Sequence, residues 1–190
     1  MKRLISVAAL GWALASLPTP SAHADTVVLP MDGQWHPFDV DAEFAPAKDW
    51  IDLSGDALAF TFNAAGPVAL TVLDGGFAGD EFEVFDHGVW LGFTSAAVDS
   101  YPDSFASTQA GFDHALADNR YSRRVFMLGA GAHSVTGLMS RSALDDTLVP
   151  LDATVGAVRI AAVPEPASWS LLAGGIAALV GAIRRREGPG

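Results

Sequence analysis

Apolar and polar positions alternate through most of the middle of this chain. In Ala57-Leu58-Ala59-Phe60-Thr61-Phe62 the residues Leu58, Phe60 and Phe62 fall on one face, and Pro67 to Val72 does the same with Val68, Leu70 and Val72. A period of two is the mark of a half-buried strand, and Asn63-Ala64-Ala65-Gly66 supplies a turn between the two. Glu81-Phe82-Glu83-Val84-Phe85 sets acids against apolar residues, and Asp86-His87-Gly88 turns the chain into Val89 to Thr94, which predicts a hairpin. Further strands are predicted at Val27 to Pro30, Gln34 to Val40, Arg124 to Leu128, His133 to Ser140 and Val155 to Ala161, with Gly129-Ala130-Gly131 joining two of the later ones. Between Ser107 and Asn119 the alternation stops, and a short surface helix is expected. Eight or nine short strands punctuated by turns predict an all-β fold, a jelly-roll-like β-sandwich.

The two ends break this pattern with continuous apolar runs. Met1-Lys2-Arg3, the apolar stretch Leu4 to Leu17 and the small-x-small site Ala22-His23-Ala24 make an N-terminal signal peptide, so the exported chain is expected to begin at Asp25. At the other end, Val163-Pro164-Glu165-Pro166 precedes an uncharged run from Ala167 to Ile183, closed by Arg184, Arg185 and Arg186. As a helix that run spans roughly 25 Å, enough for one upright membrane crossing. The prolines place its start near Pro166, and the arginines favour the cytoplasmic side, which puts the body outside. Three segments follow: a signal peptide over 1–24, a sandwich domain over 25–161, and a sorting and anchor segment over 162–190.

The C-terminal arrangement resembles the PEP-CTERM sorting signal of exported bacterial proteins. The match runs through Val163, Pro164, Glu165, Pro166, Ala167 and Ser168, then the apolar span with Ala173-Gly174-Gly175, then the basic cluster. The resemblance implies recognition by an exosortase-type enzyme, cleavage near Pro-Glu-Pro, a transient stay on the inner membrane and delivery to the cell surface or extracellular matrix. It also implies association with exopolysaccharide. The body, roughly 57–140, is similar to a pattern in secreted bacterial β-sandwich proteins through Thr71-Val72-Leu73-Asp74, Gly79 to Val84, Gly88, Leu91 to Ser95, Tyr121-Ser122, Phe126 to Leu128 and Gly131 to Val135. That likeness implies the fold and no activity.

Charge sharpens the picture. The whole chain is −11, but the targeting ends hold five of its basic residues, so the body has twenty acidic side chains against Lys48, Arg120, Arg123, Arg124, Arg141 and Arg159, a net of −14. Such a surface repels nucleic acid and anionic lipid, and no nucleic-acid partner is expected. The absence of cysteine excludes thiol catalysis, thiolate zinc and iron–sulfur clusters.

Candidate chemistry is sparse. Asp74, Asp80, Glu81, Glu83 and Asp86 lie close in sequence among Gly75, Gly76 and Gly79. Calcium takes six to eight hard oxygens from a bendable loop, so these five are candidate calcium ligands; the same residues also suit turn caps and a solvated strand face. Asp39, Asp41 and Glu43 alternate and are expected on an exposed face. His36, His87, His114 and His133 are scattered without a metal-binding spacing, and no Gly-x-Ser-x-Gly elbow is present. Trp90 is expected in the core, whereas Trp35 and Trp50 are open between the core and a sugar-stacking platform. The expected function is therefore non-catalytic, at the cell surface or in the matrix. A calcium-dependent carbohydrate-binding module is the alternative, and a secreted hydrolase comes third.

Overall fold

The computed structural model describes residues 25–163. The signal segment with Ala22 and Ala24, and Pro164, Glu165, Pro166, Arg184, Arg185 and Arg186 at the other end, lie outside the described residues. In chain order the elements are β1 (Asp25–Val28), β2 (His36–Asp41), β3 (Leu58–Ala64), β4 (Val68–Asp74), β5 (Glu81–Asp86), β6 (Val89–Phe93), α1 (Gln109–Ala117), β7 (Arg123–Leu128), β8 (Gly131–Arg141) and β9 (Ala153–Ala162).

The strands form two sheets, one ordered β1-β3-β8-β5-β6 and the other β2-β9-β4-β7. Their apolar faces meet in a sandwich, as the all-β reading expects. The phase predicted for β3 and β4 holds, with Phe60, Phe62, Leu70 and Val72 all buried. The turn between β3 and β4 carries the chain from one sheet to the other, because these strands pair with β8 and β9 and not with each other. The hairpin of β5 and β6 forms where the sequence places it. His87 and Gly88 both have positive φ, 49° and 74°, the requirement of a two-residue turn that follows the strand twist.

One aromatic pair locks the sheets together. Phe38 on β2 stacks on Trp50 with ring centroids 4.0 Å apart and planes 18° apart, and both are buried. Each ring is met by a glycine. A Cβ on Gly156 would fall 2.2 Å from Phe38, and one on Gly137 would fall 2.3 Å from Trp50. Side chains at those two positions would displace the rings, so the sequence leaves them bare where the core is most crowded.

The helix forms inside the stretch where a short one is expected, and it does more packing than a surface helix. Thr108 caps it, its side chain accepting from the Gly111 N–H at 3.1 Å. Phe112 and Ala115 are buried with Trp35, Leu73, Tyr121 and Ala157 in a second, smaller apolar cluster. This cluster covers the end of β4, which is why β4 is buried on both faces over Leu70 to Asp74. The expected surface helix is thus a cover for the outer side of one sheet.

Candidate functional site

The acidic stretch divides into three places. Asp74 ends β4 in one sheet, Asp80 leads into β5 in the other, and the loop between them crosses the end of the sandwich. Asp74 Oδ2 accepts from the N–H groups of Gly79 and Asp80 at 3.1 and 3.2 Å. Asp80 Oδ1 accepts from Ala143 N–H at 2.7 Å. Asp99 accepts from Leu144 N–H and from Arg141 Nη2, while Arg141 Nη1 donates to the Gly79 carbonyl. Gly79 is essential to this arrangement: its φ is 139°, and a Cβ would lie 2.5 Å from Asp99 Oδ1. The carboxylates therefore staple the crossing loop to 141–144.

These two aspartates are buried almost completely. Burial pushes the Asp74 carboxyl well above its ordinary range, with the Asp80 charge adding to the effect. Burial also raises Asp80, to about 6, against the opposing influence of Thr154, the Ala143 N–H and the Arg141 charge. Asp74 Oδ1 is buried without a hydrogen-bond partner.

Glu81 and Glu83 line the half-exposed face of β5, where Glu81 Oε1 accepts from Ala97 N–H at 3.2 Å. Asp86 lies at the far end of the strand, roughly 17 Å along at about 3.3 Å per residue. There its Oδ2 stands 2.7 Å from His133 Nδ1 and its Oδ1 accepts from Ser134 N–H at 3.0 Å. The five candidate calcium ligands are not gathered around one point. Among the described residues no group of three or more His, Asp or Glu is placed to hold a metal ion. The sequence missed Asp99 and Arg141 as members of the buried knot, since both lie far from Asp74 in the chain and carry no local pattern.

A cleft of about 360 Å³ opens between Asp39, Asp41, Phe44, Asp52 and Leu53. Burial raises the Asp39 carboxyl, and the Asp52 charge raises it further. Asp41 Oδ1 accepts from Glu43 N–H at 2.8 Å. The strand ends at Asp41, so Glu43 lies in a turn and the expected row of three acids is cut to two.

Of the tryptophans, the two left open lie in the core and the one expected there lies outside. Trp35 and Trp50 are 3% and 1% exposed, while Trp90, expected in the core, is 54% exposed. The reason is phase. Every position from Val89 to Phe93 is apolar or glycine, so the sequence does not specify which face turns inward. A register shift between Val84 and Phe85 then rotates β6 so that Leu91 packs against the core instead. Phe93, 42% exposed, stands beside Trp90 with ring centroids 5.6 Å apart.

No protein-family model matches the chain, and no curated protein matches it. Among solved structures it is similar to the pre-peptidase C-terminal domain of a collagenase from Bacillus anthracis, with a TM-score of 0.39 and 8% identity over 75% of this chain and 98% of that one. It is also similar to CorA, a surface-associated copper-binding protein important in copper acquisition by Methylomicrobium album BG8, with a TM-score of 0.38 and 8% identity over 74% and 98%. Likenesses of this size carry no functional argument. The sandwich itself is defined by the chain's own sheets.

Proposed function

We infer that this chain is an exported, non-catalytic protein of the cell surface or extracellular matrix, associated with exopolysaccharide. A jelly-roll-like sandwich is carried between an N-terminal signal helix and a C-terminal membrane helix. An exosortase-type enzyme reads Val163-Pro164-Glu165-Pro166 while the anchor holds the body outside the inner membrane. The observation that carries this reading is the order of three parts in the last residues: Pro-Glu-Pro, a membrane-length apolar run, and three arginines. The position of the folded body supports it. β9 ends at Ala162, and Val163 N–H still donates to the Pro67 carbonyl at 3.0 Å, so the sandwich closes directly before Pro164.

The test is processing in the native host. Wild-type chain should reach the surface as a form shortened near Pro164, whereas Glu165→Ala and Pro166→Ala should stay full length in the inner membrane. Unchanged processing and delivery of both variants would reduce the segment to a plain anchor.

A carbohydrate-binding module is the second reading, favoured by the exposed Trp90 and Phe93 on one strand. Its calcium-dependent form rests on Asp74 Oδ1, the buried oxygen without a partner.

A further inference from the structure

Chain direction sorts the loops between the two ends of the sandwich. β1 and β3 run parallel, and every other pairing joins an odd-numbered strand to an even-numbered one in antiparallel fashion. Odd strands therefore run toward one end and even strands run away from it. The short turns from β3 to β4 and from β7 to β8 pass between the sheets and bring their matching ends together. The connections 29–35, 65–67, 87–88 and 129–130 share that end. The chain also leaves from it, since β9 ends there and Val163 N–H donates to the Pro67 carbonyl.

The two ends differ in charge. These four connections hold one acid, Asp32, and no lysine or arginine, whereas the connections at the opposite end hold twelve of the body's twenty acidic side chains. Around the nearly uncharged end stand the exposed side chains of Val28 at the close of β1, Met31, Val89 at the start of β6 and Met127 near the close of β7. Leu53 and Leu148 are exposed at the opposite end, but there they stand among the acids.

Where the chain goes next says what meets this end. Val163 to Pro166 alone separate β9 from the apolar run that starts at Ala167, and four residues span at most about 14 Å. A helix crossing the bilayer therefore keeps this end of the body within that distance of its own start. An end almost free of charge loses little hydration in the headgroup layer, and exposed valine and methionine side chains gain by leaving water. The acids, carried at the opposite end, stay clear of anionic headgroups that would repel them. A second copy anchored in the same bilayer turns the same end to the lipid and cannot cover this one end to end. Resting on the anchored stage inferred above, we propose that this end of the sandwich is a membrane-contact surface. While the C-terminal helix is in place, Val28, Met31, Val89 and Met127 enter the interface of the bilayer that holds it, and the acidic end faces away.

The absence of cysteine lets single labels report depth. Nitroxides are placed through Met31→Cys, Val89→Cys, Leu53→Cys and Leu148→Cys, one at a time. Each chain is reconstituted through its C-terminal helix into vesicles of phosphatidylcholine and phosphatidylglycerol. Oxygen concentrates in lipid and a nickel chelate stays in water, so the ratio of their collision rates with the label measures depth. That ratio should be several-fold higher at Met31 and Val89 than at Leu53 and Leu148. Val28→Asp combined with Met127→Asp should bring the Val89 ratio down toward the Leu53 value, with the melting temperature reporting that the variant folds. Equal ratios at the two ends would overturn the proposal, as would an unchanged ratio in the doubly charged variant. So would slow collision with both reagents at Met31 and Val89, the mark of a covering protein such as a second copy. The anchored reading fails separately: a chain that alkaline carbonate strips from the vesicles has no membrane helix, whereas one that resists carbonate with all four labels in water sinks only the contact.

Discussion

His133 has an oxygen against each ring nitrogen. Nδ1 faces Asp86 Oδ2 at 2.7 Å and Nε2 faces the Gly129 carbonyl at 3.1 Å. A neutral imidazole carries one N–H and satisfies one of these acceptors, whereas a ring protonated on both nitrogens donates to both. The side chain is 10% exposed and its ring stacks on Phe62 at 4.8 Å, so the pair ties the β7–β8 turn to the end of β5. Replacing His133 by Phe keeps the stacking and removes the donors, leaving Asp86 with the Ser134 N–H as its remaining bond. A loss of about 2 kcal/mol in urea unfolding is expected. A variant as stable as the wild type would show that the pair contributes nothing. Sequence placed His133 on a strand but gave no sign of its partner, because Asp86 comes from a different strand and the pairing is fixed only by the sheet order.

At the level of elements, the strands that pack in both sheets depend on two glycines rather than on larger side chains. Gly156 of β9 lies opposite Phe38 in the β2 register, and Gly137 of β8 lies under Trp50, whose own N–H donates to the Gly137 carbonyl at 2.9 Å. A methyl at either position overfills the site, so Gly156→Ala and Gly137→Ala should each cost about 1–3 kcal/mol. Gly66→Ala is the control: a Cβ there meets nothing within 4 Å, and its stability should stay within about 0.5 kcal/mol of wild type. Equal losses at all three positions would argue against ring packing as the cause, since the entropy that a Gly→Ala change removes from the unfolded chain favours folding. Elements were legible where a single face is buried. Glu81 to Phe85 alternates cleanly and β5 lies where its pattern puts it. Val89 to Phe93 has no polar position to set its phase, so the one exposed tryptophan among the described residues was expected inside. The interruption at Ser107 to Asn119 revealed a helix, but its cover over Leu73 and Ala157 depends on tertiary packing that no periodicity contains.

For the whole molecule, the buried carboxylates set how stability responds to pH. Asp80 has a folded value of about 6 against an ordinary 3.8, so the native state holds its proton over a range in which the unfolded chain has released it. Stability therefore falls as pH rises from about 4 through 6, by about 3 kcal/mol from this group. Asp74, raised in the same direction by burial and by Asp80, steepens the fall. The net charge of −11 acts with them, because self-repulsion grows as more acids ionise. Asp118 and Asp145 act the other way: Arg120 holds the first low, and the Val149 N–H and Thr147 hold the second low. Their contributions are lost only as pH falls below the ordinary carboxylate range. The melting temperature should accordingly rise on going from pH 7.5 to 5 and turn down below about 4. Asp80→Asn, whose amide oxygen still accepts from Ala143 N–H, should flatten the rise. A wild-type melting temperature that drops steadily from pH 7.5 to 5 would contradict this account of the knot. Repeating the series with millimolar calcium separates a proton from a metal as the neutralising partner. If calcium removes the rise by stabilising the protein at pH 7.5, a cation is held by Asp74 and Asp80 when both are ionised. If the rise survives unchanged, protonation alone relieves the pair, and the crossing loop is a structural staple whose strength depends on the surrounding pH.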